Sequence, residues 1–468
     1  MNQKKETTVL LLSLLITISA LAGGAWWLTK DEKSTNDLRD SSSVELSQNG
    51  SASQPSTIST GNNILISQDS NPEKQAAASA TANKNYSEAV SKLELSLKQQ
   101  RNDPEALIYL NNARIGDGKN YTIAVPVPIS TEVTTAKEIL RGVAQAQQEI
   151  NQQGGIDNIP LKVAIVDDRN NPETAKEIAA SLVQNESILG VVGHFSSGVT
   201  LAVAPIYQEN GLVAISATST SIDISNMGNY IFRTVASDRF TSNALGKYFL
   251  EKLQKNKAAI VYNSQSAYSQ SLRNTFTTDL VGNGGEVVIE ADLAQDNFNA
   301  AETIEQAGDR GAEVLVFLND SKTAERAYLL MQLNDLRLPM LGGDSLYKPQ
   351  TLQNAGEKAS GLVLGVPWHI AGDIGTDFPA SSRRLWGGDV NWRTAMAYDA
   401  TKALIAGLDG DPSRRGIQKT LSQANFSFLG ASGKVNFLAS GDRNKAIQLV
   451  TVRSGNKSSY GYDFVPLE

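Results

Sequence analysis

The sequence predicts an α/β protein with two doubly wound parallel sheets, and three observations carry that prediction. From Tyr121 onward, short apolar runs alternate with amphipathic runs of helical period. The apolar runs are rich in Val and Ile at every position rather than every second one, as strands buried on both faces require. The rhythm breaks after residue 236 and restarts at Asn256, so one sheet becomes two.

The elements follow in order. An uncharged run from Val9 to Leu28 lies between Lys4-Lys5 and Lys30-Asp31. As a helix, twenty residues span ~30 Å, one bilayer core. Trp26 and Trp27 sit where interfacial aromatics belong. Residues 1–30 are therefore expected to be a membrane anchor, or a signal peptide cleaved near Ala20-Leu21-Ala22. Either places the bulk of the chain on the periplasmic or extracellular face, and the anchor would tether it to the cytoplasmic membrane through residues 9–28.

Residues 31–82 are rich in Ser, Asn, Gln and Thr and poor in large apolar side chains. Such composition buries too little surface to offset ordering entropy, so a flexible linker is expected. A helical pair follows over 83–117. Ala89, Leu93 and Leu97 share one face, Leu107, Leu110 and Ala113 the next, and Asn102-Asp103-Pro104 makes the break. The pair resembles a tetratricopeptide unit. Two roles stay open for it: a spacer packed on the next domain, or a site for a protein partner.

The first sheet is expected from "YTIAVPVPI", "LKVAIVDD", "ILGVVGH" and "LVAISA", each followed by a helical run. The second comes from "NKAAIVYNS", "GEVVIEADL", "AEVLVFLND", "LPMLGGD" and "GLVLGVPW". No phosphate-cradling glycine motif follows any of them.

Composition removes several functions. The 468 residues carry a net charge of −7 and no basic run, which argues against nucleic acid. Without cysteine there is no thiol nucleophile, disulfide or thiolate metal site. The two histidines, His194 and His369, are far apart, and no GxSxG elbow occurs. No enzyme, cofactor or metal is expected. Asp167-Asp168 reads as a turn and helix cap, and His194 as a satisfied strand-end residue. Trp386 and Trp392 read as packing, and Trp368 as a residue that could line a pocket.

The segments "LRGVAQAQQEINQQGGI", "LKVAIVDDRNNPETA", "VVGHFSSGVT", "NYIFRTVASD", "LPMLGGDSLY" and "AMAYDATKAL" succeed one another colinearly between Tyr121 and Arg453. In that succession the chain resembles the branched-chain amino-acid-binding family of type I periplasmic binding proteins. The resemblance implies one ligand-binding domain over 119–453, with two lobes around a hinge cleft. Lobe 1 would take about 119–236 plus 369–445, and lobe 2 about 237–368 plus 446–468. It implies a solute receptor for an amino acid or similar small polar ligand, with an ABC permease as partner. The alternative is a membrane-tethered ligand sensor working through a separate partner.

The same resemblance puts the ligand carboxylate on Ser197, with Ser196 adjacent. The helix that follows supplies backbone N–H groups and a dipole, although either serine could instead be a helix cap. Further contacts fall on Thr218, Ser219 and Thr220. From the second lobe come Tyr268 and Asp344, the acidic partner for a ligand ammonium. Asp344 is one methylene shorter than the Glu of branched-chain binders, and an Asx-turn is its structural alternative.

Overall fold

The computed structural model describes residues 57–372 and 375–467. The anchor or signal peptide expected over 1–30 lies outside the described residues, as does the linker up to residue 56. Among the described residues no helix is long and apolar enough to cross a membrane.

The chain opens with β1 (Ile58–Ser59), α1 (Pro72–Ala82), α2 (Tyr86–Gln99) and α3 (Pro104–Ile115). The first α/β set is β2 (Tyr121–Val127), α4 (Val133–Gln152), β3 (Leu161–Asp167), α5 (Pro172–Gln184), β4 (Ile188–Val192), α6 (Ser197–Glu209), β5 (Val213–Ser216) and β6 (Ile231–Arg233). The second is α7 (Asp238–Lys247), β7 (Lys257–Tyr262), α8 (Ala267–Gly282), β8 (Glu286–Asp292), α9 (Ala300–Asp309), β9 (Val314–Leu318), α10 (Ala324–Asn334), β10 (Met340–Gly342), α11 (Pro349–Asn354) and β11 (Val363–Val366). Then come α12 (Phe378–Trp386), α13 (Trp392–Leu408), α14 (Arg414–Leu421), the hairpin β12 (Phe428–Gly430)–β13 (Gly433–Val435), and β14 (Gln448–Ser454) with β15 (Tyr462–Pro466).

Three helices start with the same device. Asn71, Asp103 and Asn171 each accept a first-turn N–H, and a proline follows as the first helical residue. Such a start satisfies one orphan donor and needs no N–H from the ring.

The first sheet has the order β1-β3-β2-β4-β5-β6 and the second β15-β14-β11-β10-β9-β7-β8. All neighbours are parallel except β1 on β3 and the terminal pairs β11–β14 and β14–β15. The chain passes between the lobes after β6, after β11 and before β14, because α13 returns to pack along α4 of the first lobe. That crossing is close. A Cβ on Gly142 would lie 2.2 Å from the Thr394 carbonyl oxygen, so only glycine fits there.

The linker expectation is corrected from residue 57 on. β1 adds an edge strand to β3, and α1 buries Ala77, Ala78 and Ala80. Together α1, α2 and α3 cap the first lobe. Asn112 of α3 donates to the carbonyls of Thr60 (2.9 Å) and Val163 (2.7 Å) and accepts from the Val163 N–H (3.1 Å). One amide thus ties the turn after β1 to β3. The helical pair is built into the edge of the first lobe, and α3 is buried along almost its whole length.

Candidate ligand-binding site

Both sheets reverse their strand order once, between β2 and β4 in the first and between β7 and β9 in the second. Ligands in open α/β sheets bind beyond the carboxyl ends of strands at such points. A cavity of about 60 Å³ lies there, lined from both lobes. By volume that is room for about four waters, a small ligand or its head.

The first wall is the start of α6 and the loop after β5. Ser196 is the N-cap residue, yet its side chain makes no capping bond; its hydroxyl donates to Asn170 Oδ1 at 2.5 Å. Ser197 does not cap either. Its Oγ accepts from the Ser221 N–H at 3.2 Å, which leaves its own proton to donate. The first intrahelical bond runs from Thr200 N to Ser196 O. The N–H groups of Ser197, Gly198 and Val199 therefore precede the ladder and stand ready for an anion.

Thr218 lines the same cavity and donates to the Phe195 carbonyl at 2.7 Å. Ser219 and Thr220, expected beside it, do not line the cavity. Ser219 pairs with Thr200 Oγ1 at 2.8 Å behind the wall. Thr220 is buried, its carbonyl taken by the Asp238 N–H at 2.9 Å. The loop bends this way because buried Arg233 donates to the Ser221 carbonyl (2.7 Å) while anchored on Asp442 (2.7 Å).

The second wall holds Tyr268 and Asp344, both lining the cavity. The Tyr268 hydroxyl donates to Asp344 Oδ1 at 3.1 Å. Gly343 makes this possible, since a Cβ there would lie 2.4 Å from the Tyr268 oxygen. Asp344 is 5 % exposed. Burial pushes its carboxyl up to about 7; Arg393 opposes the rise, Asp238 adds to it, and the Tyr268 bond opposes it. Asp238, also buried, is pushed up to about 6 by the same loss of water.

Asn170, Phe195, Ser266, Asp320, Ser321, Lys322 and Ser345 also line the cavity, and so do two large side chains that sequence reading missed as site residues. Trp392 and Arg393 open α13 and line the pocket, so Trp392 is not packing alone. Both arrive by the second crossing, far in sequence from either wall. The only available signal was an Arg inside an otherwise apolar helical start.

The family model for the periplasmic binding protein matches residues 120–457, which is most of the chain. The chain belongs to the periplasmic binding protein family. It is 32% identical over 180 residues to an amino acid binding protein of Pseudomonas aeruginosa, covering 38% of this chain and 47% of that protein. A Leu/Ile/Val-binding protein of Rhizobium johnstonii is 27% identical over 328 residues, covering 69% of this chain and 88% of that protein. The chain thus spans about half the first relative and most of the second. Among solved structures, a leucine binding protein of Thermotoga maritima superposes with a TM-score of 0.65 at 20% identity, covering 74% of this chain and 97% of that one.

In this periplasmic binding protein the lobes are closed on each other. The Ile222 N–H reaches across to Ser271 Oγ (3.0 Å), and Lys348 Nζ to Glu132 Oε2 (3.2 Å). The remaining conspicuous side chains are scaffold. His194 lies between Asp168 Oδ2 (2.7 Å) and the Tyr207 hydroxyl (2.9 Å). Asp167 and Asp168 accept the N–H groups of Arg169 and Asn170 in their own turn. Trp386 donates to Gln145, and Trp368 packs on Phe378 away from the cavity.

Proposed function

We propose that the chain is an exported solute-binding receptor that captures an amino acid or a similarly small zwitterion by lobe closure. The observation that carries this reading is one cavity with a bare helix N-terminus on one lobe and a buried acid on the other. The ligand carboxylate meets the first-turn N–H groups of α6 and the Ser197 hydroxyl. The ammonium meets Asp344, which gives up its proton as the ion pair forms. Closure brings both walls onto one molecule and excludes water, which strengthens each contact.

The reading further includes delivery to an ABC permease, which rests on family kinship, and a tether at residues 9–28. A sensor working through a partner would have to use the outer face of α1 and α2, since α3 is consumed by packing. Thermal melting against the twenty amino acids, short amides, urea and aromatic acids tests the core of the proposal. A ligand at a hundred times its Kd stabilises by ~2.7 kcal/mol, so at least one α-amino acid should raise the Tm clearly. Stabilisation only by ligands without an ammonium would remove Asp344 from its role.

A further inference from the structure

We infer that the cleft selects an amino acid whose side chain ends in a carbonyl or carboxylate oxygen, and that Arg393 and Trp392 read that oxygen. This rests on the reading of the cleft as an amino-acid site and adds which amino acids it prefers.

Both residues are 2 % exposed and line the cavity. The Arg393 Nε and the Trp392 Nε1 are buried, and neither has a hydrogen-bond partner. Orphan donors in a protein interior are uncommon because each costs about 1–3 kcal/mol. Both belong to neighbouring residues that line the ligand cavity, and an acceptor supplied from outside would pair them.

The guanidinium cannot swing away to find one. Its Nη1 donates to Glu138 Oε2 (3.3 Å) and to the Tyr347 carbonyl (3.3 Å), and the group stacks 4.4 Å above the Trp392 ring. Nε is therefore held fixed. Glu138 already balances the positive charge, so a neutral amide oxygen suits the site as well as a carboxylate. The α-carboxylate and α-ammonium are taken by α6 and Asp344, which leaves the side chain to supply this third polar end. A branched aliphatic side chain would bury both N–H groups unpaired. Sites built to hydrogen-bond a substrate group reject analogues lacking it by about 10⁴-fold or more.

Calorimetric titration of the whole protein with glutamate, glutamine, aspartate, asparagine, leucine and valine tests the inference. At least one of the first four should bind about 100-fold more tightly than leucine or valine, whether acid or amide leads. The variant Trp392→Phe keeps the ring and removes only the N–H, so it should shrink that ratio about tenfold while the Tm of the free protein holds. Leucine or valine binding as tightly as all four, or an unchanged ratio in Trp392→Phe, would overturn the proposal and leave the amino-acid receptor standing. Binding of no α-amino acid would overturn the receptor reading itself.

Discussion

Two regions of this molecule bury charge, and they do so in opposite ways. In the helical cap, Lys74 is fully buried with Asp103 and Glu105 each 2.7 Å from its Nζ. Glu105 also accepts from the Leu65 N–H (2.7 Å) and the Tyr109 hydroxyl (2.9 Å), and Asp103 caps α3. Burial alone would lower Lys74, yet the two carboxylates more than offset it and hold it above its ordinary value. In the cleft, Asp344 has one hydroxyl partner, a second buried acid nearby and no cation on its carboxylate oxygens. The charges of the cap are matched from within the chain, whereas the Asp344 carboxylate is met only by a hydroxyl. Buried charge marks a scaffold when its partners are all present, and a binding site when one partner is missing.

The largest expected effects break this contrast in opposite directions. Glu105→Ala leaves Lys74 and two main-chain N–H groups short of acceptors, and should cost ~3–5 kcal/mol of stability in urea titration. Ligand affinity of the folded fraction should hold. Asp344→Ala should do the reverse, weakening ligand binding by ~3–5 kcal/mol while the unliganded protein melts no lower than the parent. If Asp344→Ala instead unfolds the protein and leaves affinity intact, the two regions are not different in kind.

Titration sharpens the same contrast. A carboxyl raised from its ordinary value of 3.8 to about 7 makes the folded state bind more protons than the unfolded one in between. Through Asp344, then, unliganded stability should fall as pH rises from about 4 to about 7, and level off above. Asp238, pushed up to about 6, acts in the same window; Arg233 works against its rise as Arg393 does against that of Asp344. An ammonium ligand needs the ionised form, so affinity should rise with pH by up to about tenfold per unit until near 7. Calorimetry in buffers of different ionisation heat should detect proton release below that point. Asp344→Asn should flatten the profile; a profile that stays steep would assign the proton elsewhere.

The cap and the cleft were also unequally visible in the sequence. The strand–helix rhythm made most of both sheets legible, and Asp103-Pro104 and Asn171-Pro172 each signal a helix start. The strands β1, β6, β14 and β15 escaped, and so did α1, because its Ala/Ser/Thr composition matches the polar stretch before it and burial comes from small side chains. Small residues carry little hydrophobic signal of their own and are buried by what packs on them. Within the cleft, Ser197, Tyr268 and Asp344 follow strand ends, where topology alone places residues near a ligand. Trp392 and Arg393 sit at a helix start brought over by a chain crossing, and no periodicity encodes that meeting. Ser219 and Thr220 show the converse limit: residues beside Thr218 were expected to share its place on the cavity, but Ser219 pairs with Thr200 and Thr220 is buried off the cavity.

The smallest expected effect concerns a contact that belongs to neither class. Lys348 and Glu132 bridge the lobes at 3.2 Å with side chains 13% and 21% exposed, and Lys348 also donates to Ser321 Oγ at 2.7 Å. Partly solvated pairs of this kind contribute ~0.2–1 kcal/mol. The bond exists only while the lobes are together, so it favours the closed state and leaves each lobe's own folding untouched. Lys348→Met should therefore leave the Tm of the unliganded protein nearly unchanged and raise the ligand Kd about two- to fivefold, mostly through faster release. Added salt should shrink the difference between variant and parent, because exposed pairs are screened while the buried Asp344 contact is not. A loss in Lys348→Met as large as that in Asp344→Ala would mean that closure, rather than the buried acid, dominates affinity.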